Sequence, residues 1–242
     1  MLDALIDWAH QLENLPGWTE WQKTRLARTL WFDEPVSFEK NSTSKSFDLP
    51  DPINKQHDVI MQYLQLNQTI SALRDCEFYF RRYPFRGLPV SKYDHITNTC
   101  EMYFNRFYEF KERMRKYFKA LDVVAPQHRI DVGKLIKLFD KIFEAELRAR
   151  HGVHHHARFE DVAIDRLFFA EVVATRREMQ SMKLEQSIAY RKFVREWVKR
   201  VRLRALKMDE FLEAIAEATM STCGFLKSVG PVVDSPPTTP PT

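Results

Sequence analysis

Apolar residues recur at alternating steps of four and three along residues 96–121, and this spacing constrains the fold more than any other feature of the sequence. The residues in this register are Ile96, Cys100, Tyr103, Phe107, Phe110, Met114, Tyr117 and Leu121. Steps of three and four place side chains on one face of an α-helix, whereas a β-strand needs steps of two. The pattern therefore predicts a long helix that ends before Pro126.

Three other segments repeat this periodicity. The first ends before Pro84 and carries Val59, Tyr63, Leu66, Ile70, Leu73, Cys76 and Phe80. Another begins after Asp131, a suitable N-cap, and carries Leu135, Phe139, Ile142 and Phe143. The last covers residues 160–227, with a predicted break near Met182, and carries Val194, Trp197, Val201, Ala205, Met208, Leu212 and Ile215. Long amphipathic helices joined by short polar loops pack as bundles. We therefore predict an all-α protein, an antiparallel bundle of four to six long helices.

The two ends of the chain differ from this central part. Leu2, Leu5, Ile6 and Ala9 predict one apolar face on a short helix that Pro16-Gly17 ends, and a second short helix is expected over residues 20–30. We expect residues 1–52 to form short helices and a polar loop that pack on the bundle of residues 53–229. The Pro- and Thr-rich residues 230–242 are predicted to be disordered.

Composition and missing motifs exclude several classes of protein. Six glycines are few for a β-rich or nucleotide-binding α/β fold, and no apolar run reaches the roughly 20 residues of a membrane span. The N-terminus carries acids where a signal peptide carries basic residues, and the odd number of scattered cysteines (Cys76, Cys100, Cys223) predicts reduced thiols in a cytoplasmic protein. The sequence contains no phosphate-binding Gly-rich loop, Cys-x-x-Cys, Gly-x-Ser-x-Gly or His-Glu-x-x-His motif. No cofactor is expected.

Basic residues and histidines concentrate at residues 148–158, in the sequence Arg-Ala-Arg-His-Gly-Val-His-His-His-Ala-Arg. One interpretation is structural: Gly152 ends a helix, and the cations complement its dipole. A second is a metal site, because His151 and His155 lie one helical turn apart, although no nearby carboxylate or cysteine completes the ligand set. A third is metal-independent RNA cleavage, in which Arg150 stabilises the phosphate and a histidine transfers protons.

The Arg150-His151-Gly-Val-His154-His155 segment, placed between two long helices, resembles the motif of the HEPN superfamily of helical RNA-processing and toxin domains. The resemblance implies that Arg150 and His155 are catalytic, supported by His151 or His154. Other pairings within the cluster, Arg148 with His154 and Arg150 with His156, are also open. The resemblance further implies a homodimer with RNA as its substrate, and a possible antitoxin or other protein partner.

A second group of cations lies between residues 191 and 207, where eight lysines and arginines are opposed only by Glu196. On a helix they form a positive stripe suited to a phosphate backbone. The cations expected to contact RNA are Arg148, Arg158, Arg195, Lys199 and Arg202.

Aromatic residues suggest two further interactions. The aromatic residues of the second long helix (Tyr103, Phe104, Phe107, Tyr108 and Phe110) form either a wide core stripe or a dimer face. The turn at residues 81–86 mixes cations with aromatic residues and is able to stack a base. The alternative function is a non-catalytic helical bundle that binds a partner protein or nucleic acid.

Overall fold

The fold is all-α, as the periodicity predicts. The computed structural model describes residues 1–23, 49–85, 87–128, 130–155, 158–159, 161–177 and 180–227, without the side chains of residues 154–155, 174–177 and 180. The described residues contain no β-strand. The helices of more than two turns are α1 (Leu2–Leu12), α2 (Asp51–Arg81), α3 (Lys92–Val124), α4 (Val132–Ile142), α5 (Glu144–His155), α6 (Val162–Arg177) and α7 (Gln180–Thr222). Single 3₁₀ turns follow at Pro126–His128 and Gly224–Leu226.

The described residues form two compact units. The larger spans Asp58–Ile215 and the smaller combines Met1–His57 with Ala216–Thr242. In the smaller unit, α1 contacts the Gly224–Leu226 turn. The prediction of residues 24–30 as helix and of a disordered tail from residue 230 falls outside the described residues, whereas residues 18–23 are helical.

Helix α1 buries a face other than the one that its sequence predicts. Leu2 and Ile6 are more than half exposed, whereas Ala4, Leu5, Trp8 and Leu12 are buried. The indole of Trp8 donates a hydrogen bond from Nε1 to Gln56 Oε1 at 2.8 Å. Burial of the large indole together with two leucines outweighs the exposure of two smaller aliphatic side chains, which explains why the prediction was wrong.

Helices α2 and α3 form the centre of the larger unit. Every residue of their two predicted apolar registers is buried, which confirms those registers. The two helices run antiparallel, because the ring of Tyr63 lies beside that of Tyr117 while Tyr79 accepts a hydrogen bond from His95. Tyr103, Phe104, Phe107 and Phe110 are at most 1% exposed, so the core already uses the aromatic face that was an alternative dimer surface. Only Tyr108 of that group is exposed.

Helices α4 and α5 pack antiparallel on α3. The ring of Phe139 contacts that of Phe110, and the ring of Phe143, which follows α4 and precedes α5, contacts that of Phe107. Later residues of this segment thus meet earlier residues of α3. The Asp131 carboxylate accepts a hydrogen bond from the Lys134 backbone amide, which confirms the predicted N-cap. The helix is interrupted at buried Phe143 and restarts at Glu144. This interruption was not predicted.

Gly152 does not end α5, contrary to the structural interpretation of the basic cluster. The helix continues to His155, and Gly152 is not among the described glycines with a positive φ angle. A glycine inside a helix costs only about 1 kcal/mol relative to alanine, which neighbouring turns easily offset.

The last periodic segment forms α6 and α7, with residues 178–179 between them outside the described part. Met182 itself lies within α7, and the predicted break near it stays a prediction because residues 178–179 are outside the described part. In the larger unit α7 runs antiparallel to α2, because Phe193 and Trp197 contact Phe80 whereas Asp209 pairs with Arg74. All three cysteines are free and buried, as expected for reduced residues that fill the core.

Candidate functional site

The guanidinium group of Arg150 lies on an aromatic ring at the surface of the larger unit. Its Cζ atom is 3.9 Å from the centre of the Tyr108 ring, and Tyr108 is 40% exposed. No carboxylate among the described residues pairs with Arg150, and its Nε atom is buried without a hydrogen-bond partner there. Stacking on a tyrosine face restrains an arginine without neutralising it. Arg150 therefore retains its charge for an anionic ligand.

The other two arginines of the cluster form ion pairs with carboxylates. Arg148 forms an exposed ion pair with Glu144 one turn earlier. Arg158 pairs with Asp94 at 3.1 Å and donates from Nη2 to Asn98 Oδ1 at 2.6 Å, both on α3. Beside it, the ring of Phe159 packs against Trp197 and so anchors this segment to the bundle. Arg148 and Arg158 are thus held by protein partners in a way that Arg150 is not.

His151, His154 and His155 occupy the last turns of α5. His151 is exposed, and the backbone of positions 154 and 155 is helical. Because a helix repeats every 3.6 residues, position 154 comes one turn after Arg150, and position 155 comes one turn after His151. The predicted roles of His154 and His155 depend on their side chains, which lie outside the described residues. His156 also lies outside them. The assignment of one histidine as the catalytic partner of Arg150 stays a prediction.

The cations of α7 divide into free and paired groups. Arg195 and Lys199 are exposed and have no carboxylate partner among the described residues. They line a shallow depression of about 380 Å³ together with Arg81 and Arg202. Arg202, by contrast, donates two hydrogen bonds to Glu77, at 2.6 and 2.7 Å. The hydrogen bond from Arg202 lowers the pKa of Glu77, against the opposing effect of its partial burial.

A buried carboxylate, which the sequence analysis missed, organises two further arginines. Glu146 is fully buried, and its Oε1 atom accepts hydrogen bonds from Arg200 Nη2 and Arg204 Nε, each at 3.0 Å. The Tyr103 hydroxyl donates to the same oxygen at 3.4 Å. Burial raises the pKa of Tyr103, and the Glu146 charge adds to that effect. The Oε2 atom of Glu146 has no hydrogen-bond partner among the described residues.

Arg200 is also surrounded by aromatic rings. Its Cζ atom lies 4.9 Å from the centre of the Trp197 ring and about as far from Tyr103 and Phe104. Burial alone would lower the pKa of Arg200, but Tyr103 and Glu146 outweigh it and the pKa is raised. The group is a structural ion cluster that joins α3, α5 and α7. The sequence carried one signal of it: Ile136, Phe139 and Phe143 continue at helical spacing to Glu146.

Two properties of the described residues concern metals and membranes. No group of three or more His, Cys, Asp or Glu side chains among them is arranged to hold a metal ion. The histidine side chains of positions 154–156 are not among the described residues, so the alternative of a metal at His151 and His155 stays a prediction. None of the described helices is both long and apolar enough to cross a membrane.

Comparison of the chain with models of protein families, with curated proteins and with solved structures gave no match. The resemblance to the HEPN superfamily therefore stays a prediction that depends on the motif around Arg150.

Proposed function

We propose that this chain binds single-stranded RNA and cleaves it without a metal ion, through Arg150 and a histidine of the last turns of α5. The observation that supports the proposal is the state of Arg150, whose guanidinium is stacked on Tyr108 and has no carboxylate partner among the described residues. Both properties favour phosphate binding, because the ring restrains the side chain and a carboxylate would compete with the phosphate for the same N–H groups. His155, His154 and His151 are the candidate proton-transfer groups.

The proposed reaction is transesterification within the RNA. One histidine removes the proton of a 2′-hydroxyl, and the oxygen attacks the adjacent phosphorus. The bond to the 5′-oxygen breaks, and a protonated histidine gives that oxygen its proton. The products are a 2′,3′-cyclic phosphate and a 5′-hydroxyl, while Arg150 stabilises the charge of the phosphorane. A homodimer would supply a second histidine to share the two proton transfers. The setting we propose is the cytoplasm, where an antitoxin could restrain the activity.

The test is cleavage of total RNA and a labelled tRNA pool by the full chain in the presence of EDTA. We expect wild type to produce cyclic-phosphate ends, and Arg150→Ala to lower the rate by about a hundredfold or more, as loss of a transition-state donor does. His155→Ala and His154→Ala identify the histidine in use. His10→Ala is a matched control, because His10 is an exposed histidine near the end of α1. Equal cleavage by wild type and all cluster variants would contradict the proposal.

A second candidate function is a non-catalytic bundle that binds nucleic acid or a partner protein. The observation that favours it is the depression at Arg195 and Lys199, whose cations are available to phosphates without any histidine. The two functions differ in one experiment. A binding module would bind RNA in EDTA without cleaving it, and Lys199→Ala would lower its affinity. Arg150→Ala and the histidine variants would alter nothing but affinity, because there would be no cleavage to lose.

A further inference from the structure

An apolar cavity lies in the larger unit between the end of α2, the start of α3 and the residues that connect them. It is open to solvent on one side and has a volume of about 520 Å³, within the roughly 300–1,000 Å³ range of small-molecule sites. Phe78, Tyr79, Phe85 and Met102 supply apolar walls, and the polar groups that line it include Arg82 and Asn98. A mostly apolar cavity with a few polar groups is the usual form of a site for a planar organic ligand.

Hydrogen bonds and ring contacts hold the walls of this cavity in place. The His95 side chain is 7% exposed, and its Nε2 atom donates to the backbone carbonyl of Tyr79 at 2.9 Å. The rings of Tyr83 and Phe85 pack edge-on against the His95 imidazole. The Tyr83 hydroxyl donates to the backbone carbonyl of Val90. A site with preformed walls loses little conformational entropy when it binds.

Two aromatic rings of the cavity remain exposed to solvent. Phe78 is 51% exposed and Tyr79 is 44% exposed, and the two rings meet edge to face. The guanidinium of Arg82 lies 4.8 Å from the centre of the Phe78 ring and has no carboxylate partner among the described residues. A cation held on an exposed aromatic ring offers charge for a phosphate beside a surface for stacking. Arg150 and Tyr108 form the same combination elsewhere on this unit.

Asn98 adds hydrogen-bond donors at the cavity wall. Its Oδ1 atom accepts a hydrogen bond from Arg158, which orients the amide, and its Nδ2 atom donates to no described residue. Carbonyl oxygens and ring nitrogens of nucleobases accept such N–H groups. The cavity therefore combines an apolar wall, a stacking ring, a cation and an amide donor, which together match one nucleotide.

We propose that this cavity binds an unpaired base of single-stranded RNA, with the base in contact with the rings of Phe78 and Tyr79 and its phosphate bound by Arg82. This inference rests on the proposed function, because it identifies a subsite for the same RNA. It requires RNA binding but not cleavage, and it gives the bundle a preference for single strands, since bases in a duplex are already stacked.

The experiment compares two fluorescent probes of equal length, one a 2′-O-methyl oligoribonucleotide and the other its fully abasic counterpart. The 2′-O-methyl groups prevent cleavage through the 2′-hydroxyl, so the anisotropy reports binding alone. We expect Phe78→Ala and Tyr79→Ala to weaken binding of the base-bearing probe by about tenfold each, the effect of one lost stack. Neither variant should change binding of the abasic probe. Arg82→Ala should weaken both probes, because both contain phosphates.

Two control variants separate stacking from other effects. Phe78→Trp keeps an aromatic ring and should retain binding. Phe169→Ala removes an equally apolar ring that is 65% exposed on α6 and does not line this cavity, and it should bind both probes like wild type. The unfolding midpoint of each variant is measured in parallel, and because Phe78 is half exposed we expect it to change little.

The possible failures are distinguishable. If wild type binds neither probe, the inference and the proposed function fail together. If Arg150→Ala abolishes cleavage while Phe78→Ala and Tyr79→Ala bind the base-bearing probe like wild type, only the base subsite is wrong. Equal losses for both probes in Phe78→Ala would also overturn it. The base subsite would also be wrong if an aromatic fluorophore bound in a Phe78-dependent manner and RNA did not displace it. That result would assign the cavity to an apolar small molecule.

Discussion

The carboxylate of Glu146 determines the position of two arginine side chains that the sequence presents as part of a solvent-exposed stripe. Arg200 and Arg204 donate to it from α7, across more than 50 residues of chain. Pairs so distant in sequence leave no local trace, because a glutamate followed by arginines at helical spacing is typical of an exposed helix. Only its place in the register of Ile136, Phe139 and Phe143 distinguishes Glu146 from an exposed residue.

Substitution of Glu146 by glutamine should destabilise the bundle by about 2–3 kcal/mol, because it leaves two partly buried cations without a counter-charge. The figure is at the low end for a broken buried pair, since Arg200 and Arg204 are each about one third exposed. Urea unfolding followed by circular dichroism measures the change. Glu77→Gln is the matched control: Glu77 also pairs with an arginine of α7 but is 23% exposed, and a much smaller loss is expected. Equal losses in the two variants would contradict a special role for Glu146.

Individual helices show where sequence periodicity succeeds and where it fails. The apolar registers of α2 and α3 were predicted correctly, since each buries seven or eight apolar residues that a helix alone can align, although α2 begins at Asp51, within the predicted loop. The end of α5 was predicted wrongly, because a glycine is compatible with both a helix end and a helix interior. At the candidate site, residue types could be predicted from the Arg/His motif. The stacking of Arg150 on Tyr108 and the pairing of Arg158 depend on how α5 and the segment after it pack on α3, which no local pattern specifies.

Gly152→Ala tests the helical course of α5 directly. A Cβ atom at this position would meet nothing within 4 Å, and the backbone is helical, so alanine should stabilise the chain by about 0.5–1 kcal/mol. Gly87→Ala is the matched control, because a Cβ there also meets nothing while φ is +78°. That substitution should destabilise by about 1 kcal/mol. Thermal unfolding midpoints measure both changes. A loss of stability in Gly152→Ala would restore the predicted helix end at this residue.

The N-terminus of α3 predicts a pH-dependent contribution to stability. Ser91 Oγ accepts a hydrogen bond from the Asp94 amide at 2.9 Å and donates to its carboxylate at 2.8 Å. That hydrogen bond from Ser91 lowers the pKa of Asp94 against the opposing effect of burial, and Arg158 lowers the pKa further. Because the pKa of Asp94 is lower in the folded state than in the unfolded state, its carboxylate stabilises the fold fully above the unfolded value of 3.8. This stabilisation is lost as pH falls through the folded-state pKa.

Ser91→Ala should therefore have two effects: a loss of about 1 kcal/mol at neutral pH from the missing N-cap, and a rise in the pKa of Asp94. Carboxyl chemical shifts between pH 2 and 6 report the pKa of Asp94. Urea unfolding over the same pH range measures the free energy of unfolding, which should depend less on pH in Ser91→Ala than in wild type. Ser71→Ala, at an exposed serine within α2, is the control. An unchanged pKa of Asp94 in Ser91→Ala would refute the role of the hydroxyl.

Across the whole molecule, 37 basic residues exceed 33 acidic ones by four, but this small excess is unevenly available. Within the described part of α7, Arg191, Lys192, Arg195 and Lys199 have no carboxylate partner, whereas Arg200, Arg202, Arg204 and Lys207 each lie within 4.0 Å of one. The half of the stripe nearer the start of the helix is thus the part that an anionic polymer can use. Net charge alone would count all eight cations of the stripe as available to an anionic polymer.

The pairing of Arg202 with Glu77 affects how the affinity of the chain for RNA depends on salt concentration. A cation that already has an internal counter-ion displaces no condensed ions from RNA when the chain binds, so it adds nothing to the salt dependence of the affinity. Each phosphate contact to a single strand contributes about −0.7 to the slope of log K against log salt. Lys199→Ala should therefore make the slope shallower by about 0.7, and Arg202→Ala should leave it unchanged. Glu77→Gln, which frees both Arg202 and Arg81, should make the slope steeper by about 0.7 for each of these cations that then contacts a phosphate, so this protein would gain affinity for RNA by losing a carboxylate.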